Sequence, residues 1–121
     1  MNVKDACFTR EYGKEIFVLN FNYRSIDEAL PLIDECARQV RLREEGSVLT
    51  LTIIEQGKFD TALVDKLKGL TKGNAPYVRK AAVVGVTGVF KIVMTAVSIF
   101  SRREFKVFDT KEEAIRYLLQ E

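Results

Sequence analysis

The strongest constraint on the fold is an apolar run of twenty residues, AAVVGVTGVFKIVMTAVSIF, which extends from Ala81 to Phe100. Its one charged residue is Lys91, and basic residues flank it on both sides. A run of this length can cross a bilayer as a single helix. It can also supply a strand, a turn and a helix to a soluble core, so its interpretation decides the class of protein.

A membrane helix over this run would be marginal. Lys91 at its centre would cost about 2.5 to 3.5 kcal/mol on insertion scales. Gly85 and Gly88 would each lower helix propensity by roughly 1 kcal/mol. Cost alone therefore does not decide between the two interpretations.

The internal pattern of the run favours a soluble fold. The segment from Ala81 to Val86 is strand-like, Thr87-Gly88 is typical of a tight turn, and from Val89 onward the period is helical. The polar residues of that helix fall on one narrow stripe suited to water; they are Lys91, Thr95, Ser98 and Arg102. We therefore predict strand, turn and helix, with no transmembrane span.

The first half of the chain alternates strands and helices. Phe8 to Asn22 predicts two strands joined by a turn at Tyr12-Gly13-Lys14. Ser25 to Glu28 is a capping box that begins a helix with a regular apolar face. Val48 to Ile54 is β-branched and continuously apolar, as expected of a strand covered on both faces. Asp60 is a good N-cap for a second helix that closes at Gly73-Asn74.

The end of the chain continues the alternation. Glu104 to Phe108 is expected to be a strand, and Thr110 to Glu113 is a second capping box that starts a last helix. We therefore predict one α/β domain over residues 1–121. It has a single-layer mixed, mostly parallel sheet of about four to five strands, with about four helices alternating with the strands.

Composition excludes several classes of function. The chain has no histidine, which rules out Ser-His-Asp triads and histidine metal sites. A net charge of +2 is too small to indicate nucleic-acid binding. We expect Cys7 and Cys36 to be free thiols, with one disulfide as the alternative. The amino terminus lacks the apolar segment of a signal peptide, which predicts a cytoplasmic protein.

The second half of the chain resembles a known family. The turn Val84-Gly85-Val86-Thr87-Gly88 and the strand-to-helix joint from Lys106 to Ala114, KVFDTKEEA, are similar to those of small bacterial STAS/SEC14-like, or SpoIIAA-like, proteins. The likeness covers roughly residues 14 to 120 and is specific from Tyr77 to Leu119. It implies a mixed, largely parallel sheet with helices packed on it, and a regulatory or protein-interaction role without an established activity.

One candidate site follows from that resemblance. The anti-sigma-factor antagonists carry an Asp-Ser-(Ser/Thr)-Gly motif at a strand-to-helix junction, where the serine is phosphorylated. The nearest equivalent here is Asp60-Thr61, although Ala62 and Leu63 depart from the motif. A phosphate on Thr61 would lie at a helix N-terminus, which favours an anion. The alternative is that Asp60 is simply an N-cap.

A second candidate is the turn at Thr87-Gly88. Amides at the start of the following helix can contact an anion there. The alternative is that Gly88 only allows a tight reversal.

A third candidate is the helix from Val89 to Phe100, whose apolar arc is wider than packing on one sheet face requires. The residues of this candidate interaction helix are Phe90, Ile92, Met94, Val97 and Ile99. Some of its apolar residues should face the sheet, among Phe90, Val93, Met94, Val97 and Phe100. Residues at the edges of the arc, such as Ile92, Ile99 or Met94, are expected to meet a second surface. That surface can be a flanking helix, a second subunit, a protein partner, or a lipid or other small apolar ligand. Several basic residues can gather at the strand ends, either to touch an anionic surface or to solvate one face; they are Arg79, Lys80, Arg102, Arg103 and Lys106.

The expected function is therefore a non-enzymatic regulatory or protein-interaction module without cofactor or metal, which can form a homodimer. Binding of a small ligand or an acyl chain is the alternative.

Overall fold

A computed structural model describes residues 5–22, 25–54, 60–85, Thr95 and 106–120. The strands are β1 (Ala6–Glu11), β2 (Lys14–Asn20), β3 (Val48–Ile53), β4 (Val78–Val84) and β5 (Lys106–Phe108). The helices described are α1 (Ile26–Val40), α2 (Thr61–Asn74) and α3 (Lys111–Leu119). The other predicted helix, Val89 to Phe100, would precede β5 in the chain. It lies outside the described residues except for Thr95, which is helical and exposed.

The five strands form one sheet in the order β1-β2-β3-β4-β5. β1 and β2 are antiparallel, and every later pair is parallel. The predicted fold class, a mixed and mostly parallel sheet, is therefore confirmed.

The antiparallel pair is a tight hairpin. Tyr12 and Gly13 connect the strands, and both have positive φ, 50° and 84°. Two consecutive left-handed residues are typical of the two-residue turns whose twist matches that of paired strands. The Phe8 and Phe17 rings pack edge to face across the pair at a centroid distance of 5.0 Å. The turn predicted at this place is confirmed.

The sheet is covered on both faces. α1 and α2 pack on one face, against Phe17, Leu19 and Val83. α3 packs on the other face, in a cluster with Ile16, Leu51 and Val84. Right-handed crossovers that advance across the sheet in one direction place α1 and α2 on the same side.

Side-chain caps begin all three described helices. Ser25 and Glu28 form the complete capping box predicted for α1, and Pro31 lies inside that helix. Thr110 accepts a hydrogen bond from the Glu113 amide at 3.2 Å, as predicted for α3. The Glu113 carboxylate, however, accepts from the Thr110 hydroxyl at 3.1 Å, and no bond to the Thr110 amide completes the box.

The apolar run begins as a strand. Ala81 to Val84 are the buried end of β4, paired with β3 on one side, while β5 pairs with the last three of these residues on the other. The strand ends at Val84 rather than at the predicted Val86, and Gly85 follows with a positive φ of 86°. A single helix from Ala81 to Phe100 is therefore ruled out. None of the helices in the described part of the chain combines the length and hydropathy needed to span a bilayer.

Candidate functional site

The carboxyl ends of the parallel strands meet at one edge of the sheet. Backbone hydrogen bonds continue across this edge after the strands end, from the Phe21 amide to the Ile53 carbonyl at 2.9 Å and from the Ile54 amide to the Val84 carbonyl at 3.1 Å. Because β3 and β4 are parallel, the chain must return from the carboxyl end of β3 to the amino end of β4, and α2 makes this return. Its N-terminus, with Asp60 and Thr61, therefore lies at this edge.

Asp60 is the N-cap of α2. Its backbone is extended, with φ −130° and ψ 179°, and its Oδ1 accepts a hydrogen bond from the Leu63 amide at 2.8 Å. Its carbonyl accepts the first helical bond, from the Val64 amide at 3.0 Å. Asp60 therefore has the structural role that the sequence offered as the alternative to a phosphorylation motif.

Thr61 is the first residue of α2 and is exposed. The first turn of α2 contains no acidic residue after the cap, so within this turn and its cap Asp60 is the group that opposes the partial positive charge of the helix start. A negative group on the Thr61 side chain would face solvent and lie beside the free amides of this turn. The Thr61 side chain is therefore accessible from solvent.

The other predicted site residues lie outside the described residues. They are Thr87 and Gly88 at the predicted turn, and Phe90, Ile92, Met94, Val97 and Ile99 on the predicted helix. Their roles stay predictions.

Three of the predicted basic residues, Arg79, Lys80 and Lys106, lie in the described part of the chain, and the clustering of the whole group stays a prediction. The Lys80 Nζ lies 3.3 Å from the Tyr117 carbonyl and 5.1 Å from the centre of the Tyr117 ring, and it also contacts the Gln120 carbonyl. Lys80 therefore stabilises the carboxyl end of α3. Arg79 lines a pocket with Arg10 and Lys14, a grouping that no local sequence pattern indicates.

Neither Cys7 nor Cys36 forms a disulfide, as predicted. Cys36 is buried between α1 and the sheet, and its Sγ accepts a hydrogen bond from Asn74 Nδ2 at 3.7 Å. Burial raises the pKa of Cys36 to about 12. The Cys36 thiol is therefore protonated at neutral pH and is a poor nucleophile.

The SpoIIAA-like family model matches residues 20–119. The chain belongs to the SpoIIAA-like family. The match extends from the end of β2 to the end of α3, and so includes Asp60 and Thr61. The resemblance predicted from the sequence is confirmed in its SpoIIAA-like part. No curated protein and no solved structure gives a significant match.

Proposed function

We propose that this SpoIIAA-like chain is a single, cytoplasmic, non-enzymatic regulatory domain that docks onto a protein partner, with phosphorylation of Thr61 as the switch. The observation that carries the proposal is the exposed position of Thr61 at the first residue of α2, directly after the strand-to-helix junction. Anti-sigma-factor antagonists, which the chain resembles, carry their phosphorylated serine at such a junction. Family membership supports the same reading.

A phosphoryl group at Thr61 would change the surface and leave the fold intact. It adds about −1.5 to −2 charges at neutral pH. The helix start favours that charge, whereas a partner with acidic groups in contact would be repelled. Because the Asp60 cap already satisfies the Leu63 amide, α2 does not need the phosphate in order to form.

The partner proposed is a protein or a second copy of the chain. The helix predicted from Val89 to Phe100 would supply the apolar part of the contact. Native mass spectrometry of freshly purified protein distinguishes a dimer from a monomer with a bound acyl ligand. Replacing Met94 and Ile99 by Asp should dissociate a dimer that uses this helix, and an unchanged mass with an intact fold would place the interface elsewhere.

The phosphorylation proposal is tested with three forms of the protein recovered from the cells that make it. Phosphopeptide mass spectrometry should find phosphate on residue 61 in the wild type and in Thr61→Ser, but not in Thr61→Ala. Thr61→Ser is the matched control because it keeps a hydroxyl group at the same place.

The docking proposal is tested by quantifying captured proteins. Thr61→Glu should change the recovery of one specific partner several-fold relative to Thr61→Ala. Lys111→Gln lowers the net charge by one unit, as Thr61→Glu does, but at the first residue of α3, which packs on the other face of the sheet, and it should leave that recovery unchanged. Absence of phosphate, together with equal recovery in all variants, would contradict the proposal.

A further inference from the structure

A cavity of about 300 Å³ opens at the opposite edge of the sheet, beside the β1–β2 turn. Its walls come from the beginnings of β2, β3 and β4 and from the end of α3. Leu49 and Leu118 form an apolar floor and are 8% and 1% exposed. The cavity is therefore a concave site with an apolar base.

The rim of this cavity is basic. Arg10 from β1, Lys14 from β2 and Arg79 from β4 all line it. Arg10 Nη1 donates to the Gly13 carbonyl at 3.2 Å, a neutral partner that holds the guanidinium near the turn without cancelling its charge. Arg79 is exposed. Two arginines 69 positions apart in the chain thus line the same pocket.

The carboxylate that lines the cavity has another partner. Glu15 also lines the cavity, but its Oε1 lies 3.0 Å from Arg43 Nη1 in an ion pair. The carboxyl end of α3 carries a partial negative charge. Lys14 Nζ offsets that charge by donating to the Leu119 carbonyl at 3.4 Å, as Lys80 does at the Tyr117 carbonyl. Within the described part of the chain no ion pair joins Arg10 or Arg79 to a carboxylate, so their charges can act on a ligand.

We propose that this cavity binds the phosphoryl group of a small molecule. Guanidinium groups bind phosphate oxygens through paired, charge-assisted hydrogen bonds. Two positively charged guanidinium groups suit a ligand with two negative charges better than they suit a carboxylate, which has one. A volume of about 300 Å³ lies at the lower end of the range for small-molecule sites, which suits a phosphate ester with a short organic part resting on Leu49 and Leu118. The proposal does not depend on Thr61, which lies at the other edge of the sheet.

The test is a titration followed by two-dimensional NMR of the ¹⁵N-labelled full chain at fixed ionic strength and at a pH near 8. Inorganic phosphate and glycerol 3-phosphate are the two probes, and acetate is the reference anion. The amides of Gly13, Ser47 and Leu49 should shift and saturate with either phosphate probe. Tighter binding of the ester would identify an organic phosphate as the ligand, and equal binding would identify phosphate itself.

Matched arginine variants decide the assignment. Arg10→Gln and Arg79→Gln should each weaken binding about tenfold or more, since a hydrogen bond to a charged group is worth that much. Arg116→Gln removes the same charge from an exposed position of α3 outside the cavity and should leave the affinity unchanged. If Arg10→Gln changes the NMR signals of the β1–β2 hairpin in the absence of ligand, the result for Arg79→Gln decides the assignment.

Three outcomes would overturn the proposal. They are shifts that grow without saturation, equal shifts with acetate, and a loss of affinity in Arg116→Gln as large as in Arg79→Gln. The first would show that there is no site, and the other two that the effect is one of bulk charge.

Discussion

At the scale of single residues, Asp60 determines how α2 begins. Its carboxylate accepts from the Leu63 amide, which otherwise has no partner within the helix. Asp60→Ala should lower the free energy of unfolding by about 1 kcal/mol, the usual cost of a lost N-cap. Asp60→Asn keeps a hydrogen-bond acceptor at the same place and should lower the free energy of unfolding by only about a few tenths of a kcal/mol. Urea unfolding followed by circular dichroism measures both, and equal losses would show that the hydrogen bond contributes nothing.

Gly85 explains why the predicted end of β4 was wrong. Val84 and Val86 are both β-branched, so the pattern continues across the glycine and predicts a strand as far as Val86. The positive φ of Gly85 and the bond from its amide to the Phe108 carbonyl at 3.1 Å depend on the position of β5. A local pattern contains no information on that position.

At the scale of elements, two glycines of α2 provide a matched pair. A Cβ built on Gly69 meets nothing within 4 Å, and the residue is exposed. Gly69→Ala should therefore stabilise the protein by about 0.5 to 1 kcal/mol through helix propensity and unfolded-chain entropy. Thermal or urea unfolding checks the value, and a destabilised variant would contradict it.

Gly73 is expected to respond differently to the same change. Its Cβ would lie 2.6 Å from the Arg41 Cζ, so the guanidinium must move. Movement breaks the bond from Arg41 Nε to Asn74 Oδ1, which is 2.9 Å long and joins the carboxyl ends of α1 and α2. Gly73→Ala should bring no gain, or a net loss of up to about 1 kcal/mol.

The Arg41→Ala background tests that explanation. Once the guanidinium is absent, Gly73→Ala should become as favourable as Gly69→Ala. A Gly73→Ala effect that is the same with and without Arg41 would show that the steric conflict is not the cause.

Helix starts were the most predictable elements. Ser25, Asp60 and Thr110 are each followed by the amide that they cap, so the signal is local and readable from a few neighbouring residues. The basic pocket was not predictable, because Arg10, Lys14 and Arg79 meet only through the pairing of β1 with β2 and of β3 with both β2 and β4. Candidate contacts on Phe90 to Ile99 remain predictions.

At the scale of the whole molecule, the buried thiol links stability to pH. The pKa of Cys36 is about 12 in the folded state against 9.0 for an unperturbed thiol. Above pH 9 the unfolded state loses this proton and the folded state keeps it, so stability falls as the pH rises toward 12. Between pH 8 and pH 10 the wild type should lose about 1.4 kcal/mol more than Cys36→Ala.

The comparison with Cys36→Ala is needed because lysines and tyrosines also titrate in this range. Their contribution is common to both proteins, and the cavity left by the substitution is the same at both pH values. Urea unfolding at pH 8 and pH 10 gives the four free energies required. Equal losses in the two proteins would mean that Cys36 ionises normally in the folded state.

The order of the strands in the sheet is the order in which a ribosome makes them. Each newly made strand described here can join the exposed side of the previous one, and none has to insert between two strands that have already paired. The hairpin of β1 and β2 needs no later part of the chain to form its own hydrogen bonds. Assembly of the described strands can therefore keep pace with synthesis, because each new strand needs only the edge left by the one before it.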